Sequence, residues 1–149
     1  MDSKTPFCWP CTNRWGKRLG MLHICLVFLG GGLGATGRHL VGLVALRQFG
    51  PAFPFGTLIV NIVGSLLMGL VIGWLARRGI SGNEWRLFLT TGILGGFTTF
   101  SAFSLDVANL WERGELGTAA LYVSSSVLVS IVAVFVGLWC ARTFLPVGV

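Results

Sequence analysis

The sequence predicts an all-α membrane protein with four transmembrane helices per subunit, and three observations carry that expectation. Only 11% of the residues are charged, against roughly one-quarter in soluble domains. Mean hydropathy is +0.80. Four charge-free runs, residues 19–37, 48–76, 87–105 and 116–141, each supply the ~20 largely apolar residues that cross a bilayer core. Four such runs in succession leave no polar faces for water, which excludes a soluble bundle. The expected helices cover about 22–46, 55–76, 87–105 and 116–141. Their short connections make residues 21–149 one domain, preceded by a poorly ordered tail, residues 1–20.

The tail is basic at its end (Arg14, Lys17, Arg18) and runs into an apolar stretch, as a signal peptide does. That stretch continues past the usual short apolar region into Gly30-Gly31-Gly32-Leu33-Gly34-Ala35, which reads instead as packing surface. Cys8-Trp9-Pro10-Cys11 has the spacing of a redox dithiol or of half a zinc site. No histidine or second pair in the tail completes the zinc shell, and Cys25 and Cys140 fall within spans. A tail without apolar periodicity orders poorly, and Met21 offers an alternative start. The net charge of +6 does not imply nucleic acid. The basic residues stand singly or in pairs at span ends, where lipid headgroups and topology account for them.

Each span carries residues that lipid does not explain. In span 1, Arg38 puts a guanidinium near or inside the apolar region, at a cost of roughly 2.5–3.5 kcal/mol at a helix centre on insertion scales. It either snorkels to the interface with His39 or attracts anions at a pore mouth. Span 2 follows the turn signal Gly50-Pro51-Ala52-Phe53-Pro54 and holds the close-packing motif Gly69-x-x-x-Gly73. Its Asn61 carries an amide that hydrocarbon cannot satisfy and so must meet a partner helix or a wet path.

Span 3 is the most polar. Thr90, Thr91, Gly92, Gly95, Gly96, Thr98, Thr99, Ser101 and Ser104 lie within fifteen residues. A glycine pair followed closely by two threonines predicts a helix broken at mid-membrane, tolerated only where the freed backbone is buried in protein or reaches a cavity. Carbonyls released there suit a small cation. Phe100 and Phe103 share one face of this span. In span 4, Tyr122, Ser126 and Ser130 follow at i, i+4 spacing and align three hydroxyls on one face.

These residues do not make an enzyme, which needs a nucleophile with its base, paired carboxylates or a metal cluster. Asp106, Glu112 and Glu115 are expected around the connection between spans 3 and 4, and Asp2 and Glu84 outside the spans, leaving no carboxylate at mid-membrane. What remains are neutral donors: the Asn61 amide, the hydroxyls of Thr57, Ser101, Ser104, Tyr122, Ser126 and Ser130, and the positive edges of phenyl rings. Such donors suit a small hard anion, because fixed cations in the path would hold it too tightly to let it leave.

The chain resembles the CrcB/Fluc family of fluoride channels along residues 22–145. The match rests on Gly31-Gly32-Leu33-Gly34-Ala35-Thr36-Gly37-Arg38, on Gly56-Thr57-Leu58-Ile59-Val60-Asn61-Ile62-Val63-Gly64-Ser65, and most specifically on Gly92-Ile93-Leu94-Gly95-Gly96-Phe97-Thr98-Thr99-Phe100-Ser101-Ala102-Phe103-Ser104. The resemblance implies an antiparallel, dual-topology homodimer in the bacterial inner membrane. It implies two pores that export cytoplasmic fluoride passively, and a central structural sodium ion. It also implies that Asn61, Phe100 and Phe103 line the pores, that the Tyr122, Ser126, Ser130 track continues them, and that the backbone carbonyls of Gly95 and Thr98 hold the sodium. Ala102 departs from the hydroxyl residue common at that step.

Charge bias bears on topology, because an even number of spans puts both termini and the connection between spans 2 and 3 on one side. That side holds Lys4, Arg14, Lys17, Arg18, Arg77, Arg78, Arg86 and Arg142, against Arg38, Arg47 and Arg113 on the other, which puts the termini in the cytoplasm. Without the tail the two sides nearly balance, as dual topology requires. Three other readings remain at the level of sequence: a four-span thiol oxidoreductase using Cys8 and Cys11, a small multidrug-type exporter, which would want an embedded carboxylate, and a purely structural helix-packing protein.

Overall fold

A computed structural model describes residues 14–77 and 83–144. The described residues are helical almost throughout. Helix α1 covers Arg14–Phe49, α2 Phe55–Arg77 and the single turn α3 Asn83–Arg86; a π-helical run, Leu87–Leu94, leads into the short α4, Gly95–Phe97, and then come α5, Phe100–Glu112, and α6, Leu116–Phe144. Four stretches are long and apolar enough to cross a membrane: Gly20–Phe49, Phe55–Arg77, Glu84–Glu112 and Leu116–Phe144. The chain is thus an all-helical, four-span membrane protein. Cys8 and Cys11 lie outside the described residues.

Glycines at positive φ and prolines set the connections. Gly50 (φ 72°) closes α1 by donating its N–H to the Leu46 carbonyl at 3.0 Å, a left-handed cap that costs glycine little. Pro54, which has no N–H to leave orphaned, opens α2 by accepting from the Leu58 N–H at 3.2 Å. Gly114 (φ 76°) ends α5. There the N–H of Glu115 reaches the Leu110 carbonyl and that of Gly114 the Trp111 carbonyl, the paired bonds of a Schellman motif.

Between spans, packing is set by facing glycines rather than by apolar bulk, as expected where lipid tails are as apolar as leucine. A Cβ on Gly69 would stand 3.1 Å from the Gly137 Cα, and one on Gly137 3.1 Å from the Gly69 Cα. One turn on, Gly73 meets Ala141. The Gly69-x-x-x-Gly73 motif of α2 therefore faces a Gly137-x-x-x-Ala141 counterpart on α6. Helix α1 repeats the device against the third span: a Cβ on Gly92 would come 3.0 Å from the Gly30 Cα, and one on Gly96 3.0 Å from the Gly31 Cα.

The third span departs from the sequence expectation in extent. Its apolar run ends at residue 105, yet α5 continues to Glu112, so Asp106 stands inside the helix, apart from Glu112 and Glu115 near the connection. The charge is tolerated because the Tyr122 hydroxyl donates to its carboxylate at 3.1 Å. Asp106 also lines a cavity of about 320 Å³ beside the 50–54 turn. The π-helical run was not legible in the pattern of residues either.

If backbone contact at Gly69 and Gly137 joins α2 to α6, Gly137→Leu should lower stability by about 1–3 kcal/mol, the usual cost of overpacking. Gly117→Ala, where a Cβ meets nothing within 4 Å, should be near neutral. Thermal unfolding of the purified protein measures both.

Candidate functional site

The site is built around an interruption of the third span. Helix α4 ends at Phe97, Thr98 (φ −78°, ψ 157°) and Thr99 (φ −154°, ψ 123°) are extended, and α5 begins at Phe100. Extended residues between two helices leave backbone groups without helical partners, which apolar surroundings penalise. Asn61 meets this demand. Its Nδ2 donates to the Thr99 carbonyl at 3.0 Å and its Oδ1 accepts from the Thr99 N–H at 2.8 Å. The side-chain amide thus pairs with Thr99 as a neighbouring strand would. Thr99 then caps α5, its Oγ1 accepting from the Ala102 N–H at 3.2 Å. Thr98 turns back on α4, its N–H and its hydroxyl both donating to the Leu94 carbonyl.

These bonds also fix which carbonyls are released. The Thr99 N–H, which would reach Gly95 in a continuous helix, is spent on Asn61. The Ala102 N–H, which would reach Thr98, is spent on Thr99 Oγ1. Gly95 and Thr98 therefore each lose the i+4 donor that a helix supplies. Released carbonyls are hard oxygen ligands, and among the described residues no three His, Cys, Asp or Glu side chains gather around a metal position. The donor set at the interruption fits a small hard cation held by backbone. One released oxygen has a partner: the Arg38 guanidinium donates from Nη1 to the Thr98 carbonyl at 3.4 Å.

Beside the Asn61–Thr99 pair lies a cavity of about 430 Å³ between α2, α5 and α6, lined by Asn61, Phe100, Phe103, Ser126 and Ser130 together with Thr98, Thr99 and apolar residues. Among the described residues no charged side chain lines it. Ser126 is buried, and the Ser130 hydroxyl is buried without a hydrogen-bond partner. An unpaired buried hydroxyl is costly, so the Ser130 donor is available to an occupant. Phe103 is buried, whereas Phe100 is 78% exposed, and their rings lie 5.5 Å apart.

The other residues singled out by sequence fall elsewhere. Tyr122 is fully buried and does not line this cavity. Its ring packs edge-on against Phe53 at 5.5 Å and tilted against Phe103 at 5.3 Å, and its hydroxyl points to Asp106. Arg38 and Thr57 line a second cavity of about 340 Å³, between α1 and α2, which touches the first through Thr99. Ser101 is exposed, its Oγ 3.2 Å from Thr99 Oγ1. Gly95 is exposed and Thr98 half-buried. Cys25 is exposed and Cys140 half-buried, and neither is disulfide-bonded. Sequence reasoning missed Ser65 and Met68, which also line the first cavity. Ser65 stands at i+4 from Asn61, so the helical period of α2 was the available signal. It placed the break at the glycine pair and the two threonines but did not foresee that Thr99 would be the residue paired with Asn61.

Removing the Asn61 amide should leave both backbone groups of Thr99 unpaired. Asn61→Ala should therefore destabilise the protein by about 2–6 kcal/mol, from about 1–3 kcal/mol per unsatisfied buried group. Asn61→Asp retains only acceptors while it is charged and regains a donor when protonated, so it should cost less at a pH where it is protonated than where it is charged. Thermal unfolding across pH separates the two.

A profile of the family described as CrcB-like protein, Camphor Resistance (CrcB), matches residues 25–138. The Fluoride-specific ion channel FluC 2 of Nitrobacter hamburgensis is 56% identical over 121 residues, 81% of this chain and 98% of its own length. The Fluoride-specific ion channel FluC of Mesorhizobium japonicum is 58% identical over 123 residues, 83% and 98% of the two chains, and that of a Chelativorans species 58% over 125 residues, 84% and 100%. With the glycine-packed spans, the Asn61-braced interruption and the profile match all in one segment, the chain belongs to the family of CrcB-like proteins.

Proposed function

We propose that this chain is a fluoride-selective ion channel of the bacterial cell membrane that exports cytoplasmic fluoride passively, down its electrochemical gradient. The observation that carries the reading is the cavity beside Asn61: two phenylalanine rings, the buried Ser126, the half-buried Ser130 with its enclosed hydroxyl, and an amide, with no ionisable side chain of the described residues in its lining. A hard anion leaving water needs successive donors. The Asn61 Nδ2 retains one hydrogen after serving Thr99, Ser126 and Ser130 supply hydroxyls, and the ring edges of Phe100 and Phe103 are positive. Among the described residues no titratable group lines the cavity, which supports transport without proton coupling. The full-length likeness to proteins named as fluoride-specific channels supports fluoride as the ion.

The working unit is an antiparallel homodimer with dual topology and an interruption at mid-membrane. Support comes from Phe100, a large ring that the described residues leave 78% exposed, next to a lining that a second copy would complete. A structural sodium ion belongs to the same reading. The Gly95 and Thr98 carbonyls would hold it, and it would supply a fixed positive charge at the interruption. Tyr122, Thr57 and Arg38 then belong to the approach to the pore rather than to the cavity itself. There the Tyr122 hydroxyl is shared with Asp106.

Purified protein in liposomes should release fluoride down its gradient, read with an ion electrode, while retaining chloride and moving no protons. Efflux no faster than from protein-free liposomes, given a folded protein, sinks the reading. Phe100→Ile and Ser130→Ala should each slow efflux by at least about tenfold, the factor that accompanies about 1.4 kcal/mol of lost stabilisation in transit. Normal flux in both would move the path elsewhere.

A further inference from the structure

Arg38 and the Thr98 carbonyl each answer a problem that the other creates. A half-buried guanidinium in an apolar helix is costly unless it finds a partner. The Thr98 carbonyl has lost its helical donor, because the Ala102 N–H is spent on Thr99 Oγ1. The one hydrogen bond of Arg38 among the described residues, Nη1 to this oxygen at 3.4 Å, brings positive charge to a backbone dipole that would otherwise face apolar surroundings. The same oxygen is one of the two assigned above to sodium.

A carbonyl has two lone pairs, so a second donor alone would not exclude a metal ion. The charge is what matters. Two unit positive charges sharing one oxygen lie within a few ångströms of each other in a poorly screened interior, where like charges repel strongly. We infer that Arg38 is the stand-in for the structural cation. Its guanidinium neutralises the released Thr98 carbonyl while the cation site is unloaded, and it competes with the ion for that oxygen when the site loads. The inference rests on the sodium reading above and assigns Arg38 a part in it. Arg38 has room to withdraw: it lines the 340 Å³ cavity between α1 and α2 with His39, Thr57 and Thr99.

Two consequences separate this role from a merely structural one. The sodium affinity of the protein is held down by Arg38, and its stability without sodium is held up by Arg38. Purified full-length protein is exchanged from sodium into N-methylglucamine, and the unfolding midpoint is followed as sodium chloride is returned. In Arg38→Gln, which keeps a donor and loses the charge, sodium should stabilise with a half-effect concentration at least about tenfold lower than in the wild type. The sodium-free variant should unfold at a lower temperature than the sodium-free wild type. Arg38→Lys, which keeps the charge, should stay near the wild-type half-effect concentration.

An Arg38→Gln concentration equal to or above that of a sodium-responsive wild type overturns the competition and leaves the sodium reading standing. If neither protein responds to sodium, the sodium reading fails and the inference falls with it. Should Arg38→Gln not fold, the wild type still decides: phenylglyoxal modification of Arg38, read by peptide mass spectrometry, should accelerate when sodium is added. An unchanged or slower rate overturns the proposal.

Discussion

Two hydrogen bonds between the Asn61 amide and the backbone of Thr99 hold together everything that is unusual about this structure. An apolar span can continue as a helix at no cost in unpaired backbone, and an interruption must be paired from outside. Asparagine offers a donor and an acceptor in one plane, the same pair a peptide unit offers, and at 2.8 and 3.0 Å both are well made. Once Thr99 is anchored, its hydroxyl is positioned to cap α5. Phe100 and Phe103 then take their direction from a helix whose start is fixed. The released Gly95 and Thr98 carbonyls, the cavity wall and the pair of rings all follow from that single amide.

The anchor works only if α2 comes close enough to the third span to deliver it, and here the glycines matter. A Cβ on Gly64, nearly one turn beyond Asn61, would collide with the Thr98 side chain, and a Cβ on Gly30 would lie 2.8 Å from the Phe88 carbonyl. Helix α1 therefore meets the third span through backbone contact ahead of the interruption, and Gly64 of α2 makes room for the Thr98 and Phe97 side chains at it. The π-helical run, Leu87–Leu94, belongs to this arrangement. It ends at Gly95, whose N–H reaches both the Gly92 and Thr90 carbonyls, so the helix is already irregular before it stops. Irregularity of that kind inside helices frequently accompanies functional sites.

Much of this was legible in the sequence because it obeys a period or breaks a rule. The four spans follow from charge-free length. The Gly69 to Gly73 spacing announced close packing, and its partner proved to be Gly137 and Ala141. Asn61 could be singled out because an amide in hydrocarbon demands a partner, although the sequence did not show that the partner would be backbone. The hydroxyl track was legible as a line on α6 but not as a set of separate fates. Ser126 and Ser130 face the cavity, while Tyr122, at the same spacing, is drawn to Asp106 by a tertiary contact that no local pattern encodes. Asp106 was misplaced for the same reason: without knowledge of Tyr122, a carboxylate at the end of an apolar run reads as the end of the helix.

The Asn61–Thr99 pair also divides the charged from the uncharged. Thr99 lines both the 430 Å³ and the 340 Å³ cavity. On the side of α6, the walls are rings, serines and aliphatic side chains. On the side of α1 stand Arg38 and His39, with Thr57 leading toward Asp106. An anion is drawn from water by charge at long range but passes on only if each stop along its path holds it weakly. A fixed guanidinium within the narrow part would serve the first need and defeat the second. On the proposed reading, Arg38, placed across the wall and spending its one described hydrogen bond on the Thr98 carbonyl, would contribute field without contact. The interruption of the third span makes that separation possible, because it turns a stretch of backbone into the partition itself.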